Sequence, residues 1–139
     1  MNTYVISDIK VGMEESFEVE ITKEMLESFC NITGDVNPLH NDEKFAKAEG
    51  FRDRVSYGML TASFISTLGG VYLPGKYCLI QSVECKFINP VFIGDKLVVK
   101  GTVIDLHESV QQIEIKVLIS NQKGEKILRG KLKAGFLNG

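Results

Sequence analysis

From Ser56 to Gly75 the chain carries no charged residue. Inside this run, Tyr57–Leu73 (YGMLTASFISTLGGVYL) places apolar residues on every side of a helical wheel and offers only small hydroxyls as polar side chains. A helix that is apolar all round is a buried helix, so the rest of the chain has to enclose it. Its serines, threonines and glycines keep its mean hydropathy below that of a membrane-spanning helix. Gly69-Gly70 marks either a close backbone approach or the end of the helix, and Pro74-Gly75 stops it.

The flanking segments supply the enclosure. Glu15–Ile21 alternates polar and apolar residues, the pattern of a half-buried strand. Thr22 follows as an N-cap, with Met25, Leu26 and Phe29 at helical spacing to about Ile32 and a stop near Gly34. Asp35–Pro38 is a turn, because Pro38 pushes Asn37 out of the helical region. A short helix spans Asp42 to Ala48, and a charged loop spans Gly50 to Ser56. Beyond Tyr77 the period becomes two. Leu79–Phe87, Asp95–Leu106, Ser109–Ser120 and Lys126–Leu137 read as strands, with a hairpin turn at Asn121–Gly124 and a weaker one at Asp105–Glu108. The expected fold class is α+β: a strand, a helical insert, and four strands in an antiparallel meander. About five strands curve around the one long helix, and a second copy of the chain covers what is left open.

The chain has 139 residues, 44% hydrophobic and 24% charged, the balance of a single folded domain over 1–139. A net charge of −2 argues against a nucleic-acid partner. Cys30, Cys78 and Cys85 are odd in number and lack close pairing, which suits reduced thiols filling a core in the cytoplasm. Residues 1–15 lack the apolar stretch of a signal peptide, and Phe136–Gly139 spells no peroxisomal or reticulum address, so neither a leader nor a membrane span is expected.

Of the two histidines, His107 falls at a charged turn. His40 closes the segment Thr33-Gly34-Asp35-Val36-Asn37-Pro38-Leu39-His40, where a carboxylate, an amide and an imidazole surround a proline-fixed turn. Two readings fit these residues. Asp35 and Asn37 can cap nearby backbone amides while His40 caps the next helix. Alternatively, the carboxylate and imidazole form an acid/base pair acting on one water molecule.

Gly34-Asp35-x-Asn37-Pro38-x-His40 resembles the hydratase motif of MaoC-like, (R)-specific enoyl-CoA hydratases. Arg54–Leu60 (RVSYGML) is similar to the start of that family's central helix, and Leu73-Pro74-Gly75 follows at the family's distance. Gln81-Ser82-x-x-x-x-Phe87 and Pro90–Asp95 (PVFIGD) match the segment after it. The resemblance implies a hot-dog fold, dimeric through joined sheets, and a lyase that adds water across a trans-2-enoyl thioester. It implies that Asp35 and His40 activate the water, with Asn37 supporting them. Gly58 would offer its N–H to the thioester oxygen, and Ser66 would be a small polar residue of the site. A hydroxyl bonded back within the helix explains Ser66 equally well.

Two positions depart from the family pattern. Tyr57 stands where a histidine usually precedes the helix-opening glycine, and Arg54 stands where many members have proline. Tyr57 is therefore a candidate for shaping the substrate pocket. Neither cofactor nor metal is expected, since one useful histidine without a Cys/His cluster builds no zinc site. The expected partner is a thioester of coenzyme A or of acyl carrier protein, with Arg52, Arg54, Lys76 and Lys86 as candidate contacts and Met59, Leu60, Phe64 and Leu68 as candidate walls for the acyl chain. Thioester hydrolysis on the same fold, or binding without turnover, are the alternatives.

Overall fold

The structure is a computed structural model that describes residues 1–137. Asn138 and Gly139, the end of the stretch read above for an address, lie outside the described residues.

Strand β1 (Glu14–Glu20) alternates exposed and half-buried residues as its sequence does. Helix α1 (Lys23–Thr33) starts where the Thr22 side chain accepts a hydrogen bond from the Met25 N–H, and it ends at Gly34. Gly34 has φ 74°, a left-handed conformation that costs glycine nothing. The turn after it contains a one-turn helix, α2 (Pro38–Asn41), with Pro38 in the first helical position, where its missing N–H is harmless. Asp42 then caps α3 (Glu43–Ala48) by accepting from Lys44 N and Phe45 N.

The apolar run forms α4 (Gly58–Thr67), shorter than expected. From Leu68 to Tyr72 the helix widens into a π-helical turn around Gly69-Gly70, and Leu73 leaves it in extended conformation. The extra residue swings Tyr72 onto β1, where its ring stacks on Phe17 at 4.8 Å and 7°. Leu68 packs on the same face of the sheet, against the neighbouring strand. A methyl added at Gly101 would approach the Leu68 Cδ2 to 2.9 Å, so the glycine lets helix and sheet meet.

Strands β2 (Cys78–Phe87), β3 (Lys96–His107), β4 (Gln112–Ser120) and β5 (Lys126–Phe136) complete a five-stranded antiparallel sheet in the order β1-β3-β4-β5-β2. The expected meander therefore holds only for β3, β4 and β5. β2 lies at the far edge, paired with β5 instead of its sequence neighbour β3. The first turn also moves. β3 runs through His107, and Glu108–Gln111 makes the corner, with Gln111 at φ 53°.

Val99, Val103, Ile113, Ile115, Val117, Ile119, Leu128 and Leu132 face α4 and are essentially inaccessible to water. Burying each such side chain contributes about 1.5–3 kcal/mol, so this strip dominates the fold's stability. The register carries the same helix-side face onto β2, through Ile80, Val83 and Phe87 opposite Ala134, Leu132 and Leu128. There the cover ends: Val83 is 44% exposed, Phe87 51% and Met59 on α4 63%. A helix expected to be wrapped on all sides thus keeps one open flank within a single chain.

Candidate active site

The loop carrying the polar motif is wound by its own side chains. The Asp35 N–H donates to the Thr33 hydroxyl (3.2 Å), the Asn37 N–H to Asp35 Oδ1 (3.1 Å), and the Leu39 N–H to Asn37 Oδ1 (2.9 Å). These bonds satisfy the free amides at the start of α2 and fix the direction in which that helix leaves the loop. Asp35 Oδ2 has no hydrogen-bond partner among the described residues.

α2 docks on the segment before α4. The Val55 N–H donates to the Leu39 carbonyl at 3.1 Å, and His40 Nδ1 lies 2.6 Å from the Val55 carbonyl. A carbonyl can only accept, so Nδ1 carries the proton. In the neutral imidazole, Nε2 then keeps the free lone pair. It is the atom that can take a proton and, once charged, give it back.

Beneath His40 lies Tyr57, 2% exposed, with ring centroids 4.1 Å apart. Its hydroxyl donates to the Asp35 main-chain carbonyl at 2.7 Å, and Asn41 Oδ1 lies 3.3 Å from the same hydroxyl. Phe29 of α1 packs on the ring at 4.7 Å. Burial, with the neighbouring Cys30 thiol, pushes the phenol up to about 12, so it stays a proton donor across the working range of pH.

His40 and Gly58 share the wall of one cavity of about 300 Å³, closed by Phe87, Val91 and Ile127. No side chain caps α4, which begins at Gly58, so its first amides keep their donor capacity and the positive end of the helix dipole. The approach at Gly58 is tight: a methyl there would come within 3.1 Å of the Phe87 ring. Ser56 Oγ and Thr61 Oγ1 are buried without a hydrogen-bond partner, and both residues belong to the same wall.

Asp35 and Asn37 are exposed on the loop outside that wall, and Tyr57 supports it from below. Ser66 is exposed on the open flank of α4, two turns beyond Gly58. Of the proposed acyl-chain walls, Leu68 is in the core and Met59 faces outward. Leu60 lines a separate apolar groove of about 480 Å³ with Met25, Phe29 and Ile32 of α1. Among the basic candidates, Arg52 stacks over Phe92 at 4.1 Å and lies 3.6 Å from the buried Asp95 carboxylate, and Lys76 leans on Tyr77. Burial pushes the Cys78 thiol up to about 11, so it is protonated near neutrality and a poor nucleophile.

Val55, Ser56, Thr61 and Phe87 were not singled out as site residues from sequence. Val55 acts through its carbonyl, which no side chain announces, and the hydroxyls and Phe87 reach the cavity only through tertiary packing. Among the described residues no group of three or more His, Cys, Asp or Glu is arranged to hold a metal ion, and no helix is long and apolar enough to cross a membrane.

The chain is similar to several known proteins. The chain is 39% identical over 99 residues to a 3-hydroxybutyryl-CoA dehydratase of Methylorubrum extorquens, a match covering 71% of this chain and 63% of that protein. It is 35% identical over 103 residues to an (R)-specific enoyl-CoA hydratase of Rhodospirillum rubrum, covering 74% of this chain and 72% of the relative. Among solved structures, the R-hydratase PhaJ1 of Pseudomonas aeruginosa superposes with a TM-score of 0.91 at 25% identity, over 97% of this chain and 86% of that one. The (R)-hydratase of Aeromonas caviae does so with a TM-score of 0.89 at 29% identity, over 93% and 98%. These likenesses establish the hot-dog fold for a central helix held by a five-stranded sheet. Residues 7–124 match the model of the MaoC like domain, and the chain belongs to that family.

Proposed function

We propose that this protein adds water reversibly to trans-2-enoyl thioesters, giving (R)-3-hydroxyacyl thioesters, with Asp35 and His40 as the water-activating pair. One observation carries the reading: an imidazole whose free Nε2 is fixed by the Val55 carbonyl shares a cavity with the uncapped start of a helix. The first group handles protons. The second stabilises the negative charge that grows on a thioester oxygen as water attacks C3. The family relatives named for hydration and dehydration support the same chemistry.

In this mechanism the Gly58 N–H donates a hydrogen bond to the thioester oxygen and polarises the conjugated double bond. Asp35 takes a proton from the water as its oxygen bonds to C3. His40, whose free Nε2 takes up a proton from solvent before the reaction, gives that proton to C2. The proton on Asp35 then returns to His40, so the pair ends as it began and one water has been added. Asn37 holds the loop through the Leu39 N–H, and Ser66 and Tyr57 complete the set of site residues.

The substrate carrier is coenzyme A or acyl carrier protein, and the working unit is a dimer joined along the free edge of β2. That edge leaves Ile80, Val83, Phe87 and Met59 uncovered on one face, and a second copy placed there extends the sheet and buries them.

The test is loss of the conjugated thioester absorbance with crotonyl-CoA and longer enoyl-CoA substrates. Asp35→Asn and His40→Ala should each reduce the rate by several orders of magnitude in folded protein. Near-normal rates in either variant remove the assignment, and release of free thiol instead would mean hydrolysis.

A further inference from the structure

Tyr57 is the point at which separate parts of the site are tied together. Its ring is the floor under the His40 imidazole, at 4.1 Å. Its hydroxyl holds the main-chain carbonyl of Asp35, at 2.7 Å. It is also the residue before Gly58, and its own carbonyl accepts the first α4 hydrogen bonds, from Leu60 N (3.1 Å) and Thr61 N (3.3 Å). The phenol reaches from residue 57 back to residue 35, in a loop that is exposed from Gly34 to Asn37. The other side-chain bonds in that loop join residues two positions apart, and the His40 N–H donates to the Asn37 carbonyl at 3.1 Å, so the Asn37 end of the loop is tied to His40 and the Asp35 end is held by Tyr57.

We propose that Tyr57 is a positioning residue for the hydration reaction: its hydroxyl sets where the Asp35 carboxylate stands relative to His40 and the start of α4. The inference rests on the hydratase reading above. Tyr57 itself exchanges no proton with substrate, because it lies below the imidazole and its hydrogen is committed to the Asp35 carbonyl. A buried hydroxyl is a stiff tether. A shift of an ångström in a catalytic group is enough to cost about a hundredfold in rate without weakening substrate binding.

The experiment compares wild type with Tyr57→Phe, which keeps the ring under His40 and removes only the hydroxyl. We expect kcat on crotonyl-CoA to fall about 10- to 100-fold with KM within about twofold. Both limbs of the pH–rate profile should stay in place, and amide hydrogens of residues 35–39 should exchange faster with solvent. A kcat within about twofold of wild type overturns the inference. So does a fall in kcat with unchanged exchange over 35–39, or a variant that no longer folds at the assay temperature, which would mark the phenol as structural. Loss of one limb of the profile would make Tyr57 a proton carrier and overturn it also. An inert wild type strikes the hydratase reading itself, whereas an active wild type with an unaffected Tyr57→Phe strikes only the positioning role.

Discussion

His40 and Val55 are joined by a 2.6 Å hydrogen bond from the ring Nδ1 to a main-chain carbonyl. The bond selects the tautomer with Nε2 free, against the preference of imidazole in water for the other one. Nitrogen NMR of the neutral protein should therefore show Nδ1 protonated and Nε2 bare. His40→Asn separates the two ring atoms functionally, since its amide can still donate to the Val55 carbonyl but has nothing in place of Nε2. We expect a folded protein with hydration reduced by about a thousandfold or more, measured with crotonyl-CoA.

The buried phenol of Tyr57 makes stability fall at high pH. Its value is raised in the folded protein from about 10 to about 12. Below 10 both folded and unfolded states hold the proton, and the contribution is fully present. Between 10 and 12 the unfolded state loses its proton first, and stability declines as pH rises. Denaturant titrations from pH 9 to 12 should show a smaller decline in Tyr57→Phe than in wild type. Equal slopes would mean that the phenol titrates normally.

Thr61 buries a hydroxyl that finds no partner. Thr61→Val replaces it with a methyl of nearly the same shape and removes the desolvation cost. We expect the unliganded protein to gain about 1 kcal/mol in urea unfolding. A loss of stability instead would mean that the hydroxyl is bonded in solution, through ordered water.

Gly58 and Phe87 leave no room for a side chain between them. Gly58→Ala keeps the N–H but presses a methyl within 3.1 Å of the ring. The helix start must give by a few tenths of an ångström, and kcat/KM should fall about tenfold. Adding Phe87→Leu should recover much of the loss. No recovery would show that the crowding lies elsewhere.

Val83 stands mid-strand on the uncovered face of β2, 44% exposed. If a second copy sits there, Val83→Lys buries a charge in the interface, and sedimentation at micromolar concentration should show a monomer where wild type gives a dimer. An unchanged dimer would place the contact on another surface.

Local chemistry made much of this fold legible. Thr22 and Gly34 bounded α1, Asp42 started α3, and alternation marked the strands, because caps and periods depend on residues a few positions apart. Partner choice did not show in the same way. Alternation says which face of Leu79–Phe87 is apolar, but not that the strand pairs with β5 at the far edge. That pairing is decided by how the link from Ile88 to Asp95 crosses the sheet. At the site, the motif around Asp35 and His40 was visible as a cluster of polar residue types. Its capping reading is visible in the structure, where Asp35 and Asn37 cap local amides, and its acid/base reading is the one proposed above. Tyr57 stood out as a departure from the family pattern and was assigned to the substrate pocket. Its attachment to the Asp35 carbonyl emerged only once α1, α2 and the loop were packed around it.

The widened turn at Leu68–Tyr72 has a consequence for how this protein can vary. The wide turn seats Leu68 against Gly101 and Tyr72 against Phe17, on one face of the neighbouring strands β3 and β1. Side chains at these positions can be exchanged for others of similar bulk, but the number of residues between them cannot change. A single deletion would restore ordinary winding and carry Tyr72 about a quarter-circle away from its partner, roughly 100° for one residue at 3.6 per turn. Descendants of this sequence are therefore free to drift in spelling across the segment while its length stays frozen.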